Sequence, residues 1–112
     1  KRVDLAIREA ARKKARLTIV GDGPLRRELE ALAASLDVDA RFVGQLARSD
    51  ALSSIAGADK LVCLSAAEGA PTVIREARAL GVPVLATPVG DVAAWAAADE
   101  GIELFALPAD DP

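Results

Sequence analysis

Two glutamates, Glu68 and Glu76, stand on either side of a loop-to-helix junction. The apolar run Leu61-Val62-Cys63-Leu64 opens into Ser65-Ala66-Ala67-Glu68-Gly69-Ala70, and a helix is expected to begin near Pro71. The exposed amides of a helix N-terminus bind anions well, and Gly69 lets the backbone approach a phosphate closely. Glu68 at the loop tip can accept hydrogen bonds from sugar hydroxyls. Glu76, deeper on the same helix, can hold a second pair of hydroxyls. The same residues also fit a plainer pattern, in which one acid favours the helix dipole and the other is a solvated second-turn Glu. Spacing alone leaves both readings open.

Other loops carry weaker signals. Gly21-Asp22-Gly23-Pro24 lies between a strand and a helix, where phosphate loops occur, but holds neither GxGxxG nor GxxxxGK in register. It reads as a phosphate cradle or as a tight turn with Asp22 capping. Gly90-Asp91 is equally divided between close ligand approach and a turn with Asp91 as N-cap. Cys63, among aliphatics, reads as a small core hydrophobe. Trp95 reads as core or edge packing. Arg12-Lys13-Lys14-Arg16 reads as a solvated helix end favoured by the dipole. Ser65 has no His to activate it, so serine-hydrolase chemistry is set aside.

The composition narrows the classes further. The chain has 112 residues, 14 basic and 17 acidic side chains, a net charge of −3, one Cys, no His and no Met. That length suits a single domain, residues 1–112. Without His there are no His triads, no His metal ligands and no side chain suited to proton transfer near neutrality, so no metal site is expected. A single Cys fits a reducing compartment, and a cytoplasmic location is expected. The acidic balance speaks against nucleic acid as a partner. No apolar run approaches the length of a membrane span, and no signal peptide opens the chain. The abrupt start at Lys1 reads as a piece excised from something longer.

Short apolar runs alternate with amphipathic ones. Helices are expected over 3–14, from Pro24 with Leu25, Leu29, Leu32 and Leu36 on one face, over 49–57 with Leu52, Ile55 and Ala56 inward, from Pro71 to Gly81, and over 91–98. Strands are expected at 17–20, 40–43, 61–64, 84–86 and 102–107. Strands this short and apolar should be covered on both faces and pair in parallel through right-handed crossovers. The expected fold is α/β, a three-layer α/β/α sandwich on a mostly parallel five-stranded sheet. Ligands in such sheets bind at the carboxyl ends of the strands, which selects loops 21–24, 44–48, 65–71 and 87–91.

Taken in order, these segments resemble the C-terminal domain of retaining GT-B glycosyltransferases of the group 1, or family four, type. Leu17-Thr18-Ile19-Val20-Gly21-Asp22-Gly23-Pro24 with Leu25-Arg26-Arg27-Glu28-Leu29 resembles its second strand and helix, and Arg41-Phe42-Val43-Gly44 its next strand. Ala58 to Ser65 resembles the strand leading to the donor site. Glu68 to Ala77 carries the family's E-x7-E spacing, and Gly81-Val82-Pro83-Val84-Leu85-Ala86-Thr87 with Gly90 continues the pattern.

The resemblance implies a Rossmann-like domain that holds a nucleotide sugar such as a UDP- or GDP-sugar, with no separate cofactor. By carry-over, Glu68 contacts the transferred sugar and Glu76 the ribose. Backbone near Ala70, Pro71, Thr72 and Val73 meets the diphosphate, while Gly69 and Gly21 are binding candidates from their loops, where glycine lets backbone approach a ligand closely. Gly44 and Gln45 lie where the base packs. Lys1 stands for the Lys of a Lys-Gly pair that neutralises the leaving diphosphate, although Arg2 replaces the Gly. Glu68 and Lys1 are thus the catalytic candidates. The resemblance also places a strand ahead of Lys1 and an N-terminal acceptor domain beyond it, with a membrane-associated acceptor in the parent enzyme. Half a cleft should not transfer sugar alone. Two arrangements follow: 17–20 pairs directly with 61–64 in a flavodoxin-like order, or a second copy supplies the strand in a homo-oligomer. The competing functional expectation is an engineered or fragmentary α/β domain with a structural role and no retained ligand binding.

Overall fold

The computed structural model describes residues 2–64 and 72–106. The expectations for Lys1, Ser65, Glu68, Gly69, Ala70, Pro71 and Leu107 therefore lie outside the described residues. The chain forms two compact units, one over Arg2–Ala51 and one from Leu52 onward.

In the first unit, α1 (Val3–Lys13) follows from its apolar spacing: Leu5, Ile7 and Ala10 are buried while Arg8, Arg12 and Lys13 are exposed. Arg12 and Lys13 in the last turn favour the dipole. The helix closes at Lys14, which takes a left-handed φ of 54°, and the Ala15 amide reaches back to the Ala10 carbonyl at 2.9 Å. The chain then enters β1 (Leu17–Val20), crosses through α2 (Arg26–Ser35) and returns as β2 (Ala40–Gly44). β1 and β2 pair in parallel, Leu17 against Ala40 and Ile19 against Phe42, with an irregularity that brings Val20 opposite Gly44.

In the second unit, α3 (Arg48–Ala56), which begins in the first, leads to β3 (Leu61–Cys63), α4 (Thr72–Ala79), β4 (Val84–Ala86), α5 (Val92–Ala98) and β5 (Ile102–Leu104). These three strands form a parallel sheet in the order β3-β4-β5. Its core is Ile74, Ala77, Val82, Val84, Ala86, Val92 and Ile102, with Cys63 and Trp95 packed partly buried against it. The short helices gain most of their stability from this packing and not from propensity.

The α/β class, the alternation of elements and the parallel, Rossmann-like pairing are as the sequence leads one to expect. The ladders are two, β1-β2 and β3-β4-β5. The flavodoxin-like order is corrected by this, because it needs a β1–β3 ladder in one sheet. Coverage on both faces holds only for β4, whose three residues are all buried. β1 alternates half-buried and exposed residues, and β5 buries only Ile102. The reason is position: β1 and β5 end their ladders and β4 is flanked on both sides. α3 contains no fully buried residue; Leu52 and Ile55 are half-buried and Ala56 is exposed.

In the second unit an ion pair links α4 to the turn before β5. The Arg78 guanidinium donates to the Asp99 carboxylate at 2.8 and 3.1 Å and to the Val82 carbonyl at 2.9 Å, and Asp99 also accepts from the Gly101 amide at 2.8 Å. A Cβ at Gly101 would overlap the Arg78 guanidinium. Gly101→Ala should therefore displace Arg78 and lower the melting temperature. The double variant Gly101→Ala, Arg78→Ala should melt no lower than Arg78→Ala alone, because both act on one contact.

Among the described residues, three carboxylates are held below their ordinary range. Arg2 does this to Asp4, Arg12 to Glu9, and Arg78 with the Gly101 amide to Asp99. Groups depressed by folding stabilise above their unfolded values and lose that contribution as pH falls through the folded ones. With no His to titrate, the melting temperature should be nearly constant from about pH 5 to about pH 8 and fall below about pH 4. Thermal denaturation followed by circular dichroism checks both limbs; a rise on acidification would count against these pairs.

Candidate functional site

The described candidate residues fall into two neighbourhoods, one in each unit. In the first, at the carboxyl ends of β1 and β2, the structure brings Gly21 and Gly44 together. The Gly21 amide donates to the Gly44 carbonyl at 2.7 Å, and the two residues have φ of 113° and 72°. Only glycine adopts such angles at low cost, which is why this strand exit carries two of them. The Asp22 carboxylate lies over Gly44, its Oδ1 3.5 Å from where a Cβ would stand. Gln45 follows and is exposed.

The capping role considered for Asp22 is corrected here. α2 begins at Arg26 with Leu25 as N-cap and no side-chain cap bond, and the Gly23–Arg26 turn keeps Pro24 outside the helix. Asp22 instead pairs with Arg26, one helical turn on, at 3.4 Å. Asp91 does occupy the N-cap of α5, also without a side-chain cap bond.

The second neighbourhood is built on α4. Ile74 and Ala77 are fully buried and fix which way the helix faces. With 100° per residue, Val73 and Glu76 then leave one flank and Arg75 and Arg78 the other. The second flank is occupied: Arg75 lies over the Trp95 ring at 5.6 Å and Arg78 binds Asp99. Glu76 is half-buried on the first flank, beside half-buried Val73, while Thr72 at the helix start is exposed. Glu76 thus leaves α4 on the flank opposite Arg75 and Arg78, and Thr72 and Val73 open its first turn.

Thr87 opens loop 87–91, one of the strand exits the sequence selects, and the structure adds its burial. It is fully buried at the end of β4, its amide donates to the Cys63 carbonyl at 3.2 Å, and its carbonyl accepts from Val89 at 2.9 Å. It extends the β3–β4 pairing by one rung and turns the chain towards α5. The signal was a Thr between an apolar strand and Pro88. Among the described residues no three His, Cys, Asp or Glu side chains gather in a way that could hold a metal. No described helix is long and apolar enough to cross a membrane.

Parallel strands, crossover helices and glycine-bearing strand exits mark a Rossmann-like α/β fold. The family of group 1 glycosyl transferases matches it over residues 1–112, and the chain belongs to that family. It is 36% identical over 75 residues to a Vi polysaccharide biosynthesis protein (VipC/TviE) of Salmonella typhi, covering 67% of this chain and 13% of that protein. It is 35% identical over 88 residues to a GDP-mannose-dependent monoacylated alpha-(1-6)-phosphatidylinositol monomannoside mannosyltransferase of Corynebacterium glutamicum, covering 72% of this chain and 23% of that enzyme. The chain thus spans a quarter or less of the length of these relatives.

Proposed function

We propose that this chain is the donor-binding part of a retaining glycosyltransferase and takes up a nucleoside diphosphate sugar. The observation that carries the reading is Glu76, half-buried in α4 on the flank away from Arg75 and Arg78, in a chain matched throughout by the group 1 family. The two oxygens of such a side chain can accept from two vicinal hydroxyls, as on a ribose. The first-turn amides at Thr72 and Val73 supply the partial positive charge a diphosphate needs. Glu68 is assigned to the hydroxyls of the transferred sugar, Gly69, Ala70 and Pro71 to the diphosphate, and Lys1 to the charge that develops on departure. Gly21, Gly44 and Gln45 are assigned to the nucleoside side.

The Corynebacterium relative is GDP-mannose-dependent by name, which makes GDP the first nucleotide to try. Donor binding without an acceptor site brings no two reactants together, so this chain alone should not transfer sugar. Isothermal titration with GDP, UDP and GDP-mannose tests the reading. Saturable heat with a dissociation constant between about 10 μM and about 1 mM supports it, a range typical of enzyme substrates. Absence of heat with all three at millimolar concentration overturns it.

A further inference from the structure

The outer edge of β2 is already occupied, by a side chain. Among the described residues β2 pairs with β1 and with no other strand. In a parallel ladder with Leu17 opposite Ala40 and Ile19 opposite Phe42, the main-chain groups of Asp39 and Arg41 turn towards β1 and those of Ala40 and Phe42 turn outward. The Leu17 amide bonded to the Asp39 carbonyl at 3.0 Å fixes that phase. Arg26, at the start of α2, places Nη2 3.0 Å from the outward Phe42 carbonyl and its guanidinium 5.8 Å from the centre of the Phe42 ring. Nη1 reaches Asp22 at 3.4 Å and Nε reaches Glu30 at 3.2 Å. All three guanidinium nitrogens are thus engaged. Two exposed i,i+4 ion pairs add little stability, but together they aim the remaining N–H groups at the strand edge.

The geometry points to Arg26 as an edge guard: it caps the outward Phe42 carbonyl of β2 and holds a charge where another strand would have to lie. An open apolar edge templates pairing with further chains, and a charged side chain laid along the edge is how folded proteins prevent it. A lysine has no planar fork with which to serve the carbonyl, both acids and the ring together. The strand kept out is β2 of a second copy. The same edge on two molecules can meet about a two-fold axis, which makes self-pairing the arrangement this chain must avoid first.

The test uses Arg26→Ala and Arg26→Met, the latter keeping the long stem and helix propensity while removing the guanidinium. The parent protein should sediment as the same species from micromolar to millimolar concentration, with Ala40 and Phe42 amides that exchange at a rate independent of concentration. Both variants should associate as concentration rises, and those two amides should slow by about tenfold or more at the top of the range. Adding Ala40→Pro, which removes an outward N–H tolerated at an edge, should return them to the parent's behaviour. Variants that stay unassociated with unchanged Ala40 and Phe42 exchange overturn the proposal. So does association that leaves those amides unprotected, or the unfolding of both variants, since a guard on an exposed edge is not a determinant of the fold.

Discussion

Glu76→Ala is expected to weaken nucleoside diphosphate sugar binding by about ten- to a hundredfold. A hydrogen bond to a charged group contributes about 1.5–3 kcal/mol where its loss leaves a partner unsatisfied, and each 1.4 kcal/mol is about tenfold in affinity. Glu76 is half-buried in the second turn of α4, where a carboxylate is held by the helix and not by a flexible loop. Glu76→Gln keeps the shape and one acceptor oxygen, so it should fall between the two. Calorimetry reads the affinity, and a thermal melt of each variant read beside it separates lost binding from lost fold. Parent-like affinity in Glu76→Ala would remove this residue from the site.

Ile74→Ala should have the largest effect on stability, a loss of about 2–5 kcal/mol. Ile74 is fully buried, and so are Ala77, Val84 and Val92 around it in the core of the second unit. Truncation leaves a cavity that short helices and three-residue strands have little freedom to collapse into. Native domains hold only about 5–15 kcal/mol in total, so the variant should unfold at much lower denaturant. Ile74→Val, which removes one methylene, should cost about 0.5–1.5 kcal/mol. Urea unfolding of the two variants measures both. A loss below about 1 kcal/mol in Ile74→Ala would mean that α4 is not anchored by this side chain. Because Ile74 sets the rotation of α4, the same variant should also blunt ligand affinity through Glu76.

The places where sequence reading succeeded and failed divide along physical lines. Leu17-Thr18-Ile19-Val20 and Val84-Leu85-Ala86 are short runs of branched or aliphatic residues closed by turn-forming residues, and both are strands. The helix over 3–14 is legible from an apolar stripe of Val3, Ala6, Ile7 and Ala10, yet Leu5 is buried with Ile7 and Ala10 while Val3 and Ala6 are half-buried, and the flank of α4 that carries Glu76 follows from the burial of Ile74 and Ala77. Partnerships between distant residues were not legible. Asp22 suits a cap by type, yet its carboxylate is drawn to Arg26 and to the open space over Gly44. Pro24 suits a first helical position, yet the Gly23 carbonyl accepts from Arg26 and starts the helix later. Which strands share a ladder, and hence which are covered on both faces, depends on pairing and not on local pattern. That is why β1 and β5 are more exposed than their composition suggested. The full burial of Thr87 at the end of β4 is likewise not legible, because an isolated Thr carries no periodic signal.

The most direct test of the donor-binding reading is an amide-resolved NMR titration of the isotope-labelled chain with GDP-mannose, and separately with UDP. The account predicts saturable shifts at the Thr72, Val73 and Glu76 amides with at least one of the two ligands, and their disappearance in Glu76→Ala. Shifts confined to residues away from α4, such as the basic stretch Arg12–Arg16, or no shifts at millimolar ligand, would contradict it.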